Sequence, residues 1–239
     1  MSQRISFLKT FFKKNLWVIR YLFSIIYFNY HYLPFRQAVF LPIWLYKPHL
    51  LNLSGKVMIS KKKVYPGMIK LGHRVVTIYP NTGIIWDNKG IIVFEGACQI
   101  GNNSAISVGP KGKVSFGEDF MATTTLRIVC YHEVKIGALT TIGWDCIIMD
   151  TDQHRITRLD GSLSKGYGPV IIGKQCWITN KCTVLKNTTL GDKITIASGT
   201  TVSGNYSYIH EMTVIGFTGS IRTISRGYLD RLNDEIIYE

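Results

Sequence analysis

Residues 172–207 repeat every six. Split from Ile172 they read IGKQCW, ITNKCT, VLKNTT, LGDKIT, IASGTT and VSGNYS. Each unit opens on an aliphatic residue: Ile172, Ile178, Val184, Leu190, Ile196 and Val202. The fifth place is small at Cys176, Cys182, Thr188 and Thr200, with Ile194 and Tyr206 the exceptions. A period of six matches neither a helix nor an alternating strand. A fixed short period is the mark of a solenoid. A coil that turns a corner every six residues fits: each opening residue fills a narrow interior, and each small residue lets a corner close. The expected class is therefore an all-β solenoid.

The period can be followed backwards to about Ile91, with slips. Ile100 and Ile106 are six apart; Phe116, Ala122, Ile128 and Val134 keep step; the frame then shifts by two to Ile136, Ile142 and Ile148. Corner insertions produce such shifts. The expected body is 91–207, broken once by a polar, Gly-rich stretch at 154–170 without any six-residue phase. A long loop on a regular scaffold is where function tends to sit. Residues 1–90 read as an N-terminal extension, partly helical, and 208–239 as a C-terminal cap with a short helix from Tyr228 to Ile237.

Charge separates the front of the chain from this body. No Asp or Glu precedes Asp87, whereas thirteen Lys and Arg do, which equals the whole net charge of +13. From Asp87 onward fifteen basic residues balance fifteen acidic ones. The basic front is also rich in aromatics, including Phe23, Tyr27, Tyr30 and Trp44. The apolar run at 16–28 is too short to span a bilayer and carries Arg20, against roughly 20 apolar residues needed. No small-residue cleavage site follows it, so a signal peptide is not expected. Two readings stay open: a helical cap that plugs the end of the solenoid, or an interfacial helix on the anionic inner face of a membrane. The second would make a cytoplasmic protein peripheral. Nucleic acid is not the expected partner, because no RNP, KH or zinc pattern occurs. The five cysteines are dispersed and odd in number, with no CxxC pair, as suits a reducing compartment.

The stretch that carries chemistry is IMDTDQHRI, 148–156, at the lip of the loop. His154 falls where a hexad would open, with Asp150 and Asp152 just before it. A histidine near neutrality is a good general base. A carboxylate on its other nitrogen would fix its tautomer; the sequence leaves open which Asp would do so. His31, His49, His73, His132 and His210 are scattered, and no third His falls in step with His132 and His154 to make a metal site. No metal is expected.

The hexads, the DxDxH at the loop's lip and the re-entry IGKQCWI together resemble the hexapeptide-repeat acyltransferases, in particular the capsule and exopolysaccharide O-acetyltransferases. The resemblance covers about 91–222. It implies a left-handed parallel β-helix and a homotrimer with active sites between subunits. It implies acetyl-coenzyme A as donor and a sugar hydroxyl of a cell-surface polysaccharide or its precursor as acceptor. It makes His154 the base, with Asp150 or Asp152 orienting it, and Trp177 a site-lining residue. Trp144 is either corner packing or part of the acceptor pocket. The implied coenzyme contacts are Thr179, the stretch Ala197, Ser198, Gly199 and Thr200, and then Gly216 and Arg222. The family's Ala-Gly-Ser-like order is altered in this stretch, Thr179 stands where Gly is usual, and the Gly-x-Pro-Ala-Lys segment lacks its Pro and ends on Arg222. No acyl-cysteine intermediate is expected. Transfer to the amine of a small soluble acceptor, or a non-catalytic binding scaffold, are the alternatives.

Overall fold

A computed structural model of the chain describes residues 16–209, 213–216 and 222–226. The strands wind into a three-sided prism. Face A begins with Ile43–Leu45 and ends with Thr213–Gly216, which pairs antiparallel with Arg222–Arg226. Face B runs from Pro48–Asn52 to Thr201–Val202, and face C from Lys56–Ile59 to Asn205–Tyr206. Faces B and C have seven strands each, and apart from the last pair of face A all neighbours are parallel. This is a left-handed parallel β-helix.

The hexad openings do fill the interior. Ile172, Ile178, Val184, Leu190, Ile196 and Val202 are all buried, as is every fifth-place residue. Register stacks like residues into columns. On face A, Ile100, Ala122, Ile142, Ile178 and Ile196 lie one above another. The fourth place makes the corner. Gln175, Lys181, Asn187 and Lys193 have φ between 52° and 62°, and Gly199 follows at 74°. Each non-Gly residue there costs roughly 1–2 kcal/mol of backbone energy, which the columns of apolar contact offset. Where strands are only two residues long, as at Trp177–Ile178 and Thr183–Val184, the corners set the period.

The coil begins at Ile43, so the boundary expected near residue 90 falls inside it. Paired residues are 18 apart between Ile178 and Ile196 but 22 apart between Ile100 and Ala122, and 26 apart between Ile43 and Ile69. Longer coils carry corner insertions, which erase the sixfold phase over 43–90. They also enclose more space. Trp86, Phe94, Phe116 and Phe120 fill it, with Phe94 stacked on Phe116 at 5.3 Å between ring centroids.

Three helices close the N-terminal end: α1 (Trp17–Arg20), α2 (Leu22–Tyr32) and α3 (Phe35–Ala38). Helix α2 buries Ile25 and Phe28 against the first coils, Phe28 meeting Trp86 edge-on at 5.2 Å. Buried Asn29 satisfies the open edge of face A. Its Nδ2 donates to Ile43 O at 2.7 Å, and its Oδ1 accepts from Ile43 N at 3.0 Å. One side chain thus replaces a missing strand at the point where an exposed edge would invite pairing. The capping role expected of this region is carried by α2. The C-terminal helix expected at 228–237 lies outside the described residues.

All five cysteines are buried and unbridged. Cys146, Cys176 and Cys182 sit inside corners, as their fifth-place positions require. Burial pushes the Cys176 thiol up to about 12 and raises Cys98 and Cys130 as well. These three thiols stay protonated and unreactive.

Candidate active site

The chain leaves the prism after Ile147–Met149, at the edge between faces B and C, and returns at Val170–Ile172. The expected loop is an ordered hairpin arm. Thr151 bridges Tyr167 and Thr157 bridges Leu163, both antiparallel. Asp152 N donates to Gly166 O at 2.8 Å, and Ser164 N to Ile156 O at 2.8 Å. The tip closes through Arg158 N to Ser162 O at 2.8 Å, with Gly161 at φ 80°. Asp160 caps that turn by accepting from Ser162 N at 2.9 Å, and the bonds from Ser162 hold its carboxyl below the usual range.

Asp150 is fully buried at the arm's root. It does not orient His154. Its Oδ1 accepts from Tyr131 N at 2.8 Å, and its Oδ2 from His132 N at 2.7 Å and Cys130 Sγ at 3.2 Å. It therefore satisfies the corner of the preceding coil, whose backbone donors would otherwise be buried without partners. Asp152 is exposed and pairs with Lys186 at 3.0 Å, away from His154. Within this chain neither carboxylate bonds the His154 ring. Where the sequence suggested a base and its orienter, the structure has an exposed histidine beside two carboxylates bonded elsewhere.

His154 is exposed and lines a cavity of roughly 580 Å³ beside the arm. The same cavity takes Tyr131 and His132 from the corner below, Lys111 from the corner below that, and Arg155, Lys165 and Tyr167 from the arm. The His132 ring meets Tyr167 edge-on at 5.1 Å, and Lys165 Nζ lies 4.5 Å from the Tyr167 ring centroid. Arg155 Nε donates to Ser164 O at 3.1 Å. Gly166, at φ 73°, lets the arm's second strand press against the first: a Cβ there would fall 2.6 Å from His154 O. His132, paired with His154 in sequence only as an incomplete metal set, lies one coil before it along the B–C edge.

The other expected site residues lie on different edges. Thr179 and 197–200 form successive corners of the A–B edge. Thr179 Oγ1 donates to Ile196 O at 2.7 Å and lies 3.1 Å from Ser198 Oγ. Ser198 and Gly199 are exposed, while Thr200 is buried. Trp144 joins this edge: its backbone N donates to Asn180 Oδ1 at 3.2 Å, and its ring meets Tyr79 edge-on at 6.0 Å. Gly216 pairs with Arg222 across the antiparallel turn that ends face A. Trp177 lies on face A just past the C–A edge, its side chain partly open to solvent. So the implied coenzyme contacts gather on one edge and His154 on the next, with face B between them. At roughly 3.3 Å per residue, six residues of face B separate the two edges by about 20 Å. Among the described residues no three His, Cys, Asp or Glu side chains gather as metal ligands would.

No family model matches the chain. Over 178 residues it is 25% identical to WbbJ of Escherichia coli (strain K12), assigned to lipopolysaccharide biosynthesis as an O-acetyl transferase. That match covers 66% of this chain and 87% of the relative. The chain is thus similar, over about two thirds of its length, to an O-acetyl transferase. Among solved structures it is similar to the polysialic-acid-specific acetyltransferase NeuO, with TM-score 0.48 and 16% identity over 80% of this chain and 85% of the other. It is also similar to a hexapeptide-repeat-containing acetyltransferase of Vibrio cholerae O1 biovar eltor, solved with acetyl coenzyme A. There the TM-score is 0.37 and the identity 11%, over 87% and 85% of the two chains. At these identities nothing of their chemistry transfers to this chain.

Proposed function

We propose that this chain is an acyltransferase that moves an acetyl group from acetyl-coenzyme A to a sugar hydroxyl of a cell-surface polysaccharide or its precursor, with His154 as general base. The observation that carries this reading is the placing of His154. It stands exposed at the root of an arm interrupting the repeat, in a cavity large enough for a sugar and within the usual size range of ligand sites. The relation to an O-acetyl transferase of lipopolysaccharide biosynthesis supports the acceptor class.

In this mechanism the acceptor oxygen attacks the thioester carbonyl while His154 takes its proton. The tetrahedral intermediate then collapses, the carbon–sulfur bond breaks, and the coenzyme thiolate receives the proton back from His154. No acyl-cysteine lies on this route, in keeping with thiols buried inside corners. Since the coenzyme-edge residues and His154 lie on different edges, a complete site requires the A–B edge of one subunit beside the B–C edge of another, as in a homotrimer. Thr179, Ala197, Ser198, Gly199, Thr200, Gly216 and Arg222 would hold the coenzyme there. Trp177 and Trp144 would line the substrate path.

The precursor would be met at a membrane surface. Helix α2 is apolar on two sides: Ile25 and Phe28 face the core, while Phe23, Ile26, Tyr27 and Tyr30 are exposed at helical spacing, Phe23 by 85%. A helix apolar all round normally lies buried. With thirteen cations and no acid before Asp87, this face suits the anionic interface of a bilayer. No described helix is long and apolar enough to cross a membrane.

The test is His154→Ala in the full chain, with release of coenzyme thiol measured alongside acetylation of a glycan acceptor. General-base loss is expected to lower the transfer rate by about 10²- to 10⁴-fold, with the thermal transition unchanged. Transfer at the wild-type rate would sink the assignment.

A further inference from the structure

We propose that the cavity at the B–C edge is a subsite for an anionic sugar, whose carboxylate is held by Lys111, Arg155 and Lys165. This rests on the reading of His154 as the acceptor's base and names the class of that acceptor. Three cations reach the cavity from two separate elements, the corner before Lys113–Phe116 and the hairpin arm. None of its lining residues is acidic. The two nearby carboxylates are turned elsewhere, Asp150 into the corner below and Asp152 onto Lys186. From Asp87 onward the chain balances fifteen basic residues with fifteen acidic ones, so an acid-free pocket with three cations is a local departure from the body's neutrality. Other cations on the prism do meet acids, as Lys61 meets Glu118 and Lys186 meets Asp152.

The geometry also says which anion. The phosphates of coenzyme A lie at the far end of its pantetheine arm from the thioester. The cations share a cavity with His154, where the thioester and the acceptor hydroxyl must meet. A charge held there belongs to the acceptor. Arg155 offers a planar fork suited to a carboxylate. Tyr131 and Tyr167, each about two-fifths exposed, give flat amphipathic surfaces for a sugar ring.

The test compares binding of two sets of oligosaccharides to the full-length protein in the presence of coenzyme A. One set carries glucuronate, galacturonate or N-acetylneuraminate; the other is the same set with its carboxyl groups reduced. At low salt at least one acidic member is expected to bind about tenfold tighter than its reduced form, the worth of one close charge pair. Lys111→Gln with Lys165→Gln should abolish that preference and leave coenzyme affinity unchanged. Neither lysine makes a hydrogen bond that supports the arm, so the double variant should fold. Absence of any preference in the wild type, or survival of the preference in the double variant, overturns the proposal. So does a loss of coenzyme affinity in the double variant, which would mean that the cations hold the donor's phosphates. His154→Ala separates the two readings. It should keep the acid preference while losing transfer; if it keeps both, the base assignment fails and the anionic subsite stands.

Discussion

The A–B and B–C edges of the prism are built from the same repeat and do opposite things with it. On the A–B edge the corners from Trp144 onward are short and sealed. Thr179 hydrogen-bonds into the next coil, and Cys146 and Cys182 fill the inside of the turn. From Ile142 to Ile148, Ile178 to Val184 and Ile196 to Val202 no residue leaves the six-residue path, the long excursion of this edge at 74–83 lying in the early coils. On the B–C edge the same corner opens into an 18-residue detour, the difference between a 36-residue and an 18-residue coil on face A. Its arm and the corners below it line a cavity. A sealed edge presents backbone and small side chains in a fixed row, which suits a long, thin coenzyme. An opened edge presents a pocket with its own charge, which suits an acceptor. On the proposed reading the repeat supplies rigidity to both, and its interruption supplies selectivity.

The largest test of that contrast is Asp150→Ala. If Asp150 serves the corner, its loss leaves two partly buried backbone N–H groups without partners. At roughly 1–3 kcal/mol for each unsatisfied group, and toward the lower end for partly buried ones, the fold should lose about 2–4 kcal/mol, read from urea unfolding. A variant as stable as the wild type but unable to transfer acetyl groups would reverse the reading and make Asp150 part of the catalytic constellation.

Gly166→Ala comes next. Gly166 has φ 73° and no room for a Cβ beside His154 O. The left-handed backbone alone should cost about 1–2 kcal/mol. The clash must also push apart the strands that carry His154. A tenfold or greater fall in kcat is expected, because displacement by about 1 Å can cost as much, while KM for acetyl-coenzyme A stays within twofold. A rise in that KM with kcat intact would place the coenzyme, not the acceptor, at this edge.

Thr179→Val probes the sealed edge. It removes the bond to Ile196 O and the contact with Ser198, worth about 1 kcal/mol. The signature of a coenzyme rail is a several-fold rise in KM for acetyl-coenzyme A at constant kcat. If KM does not move, the coenzyme runs elsewhere.

The late coils were legible because they are minimal. With six residues per side, every opening residue must be apolar and every fifth residue must fit a corner, so the pattern is written in side-chain type. The left-handed fourth place is not. Asn187 is a residue type that favours φ above zero, but Gln175, Lys181 and Lys193 are not, and the free position of the hexad hides a fixed conformation. The coil over 43–90 was missed for the opposite reason: its turns are 26 and 29 residues long between Ile43, Ile69 and Cys98, so nothing recurs at six. At the site, His154 could be read because it breaks the period. Lys111, Tyr131 and His132 could not, since they come from two earlier coils and meet it only through the stacking of corners. Asp150 was misplaced because spacing in sequence says nothing about which coil a side chain faces.

The smallest expected effect is the most exacting for the contrast between edges. Asp152 is exposed and paired with Lys186 across the B–C edge, and such pairs contribute about 0.2–1 kcal/mol. Asp152→Asn keeps the shape and removes the charge. If the His154 ring is held by the arm's own packing, stability should change by less than about 0.5 kcal/mol and kcat by less than twofold. The pH profile of kcat should not shift, because no carboxylate then bonds the imidazole. If Asp152 does turn onto His154 once subunits and substrate are in place, Asp152→Asn should lower kcat by orders of magnitude, as the loss of a tautomer-fixing carboxylate does. Lys186→Gln separates the cases again. It frees Asp152, so it should leave transfer unchanged in the first and raise it in the second.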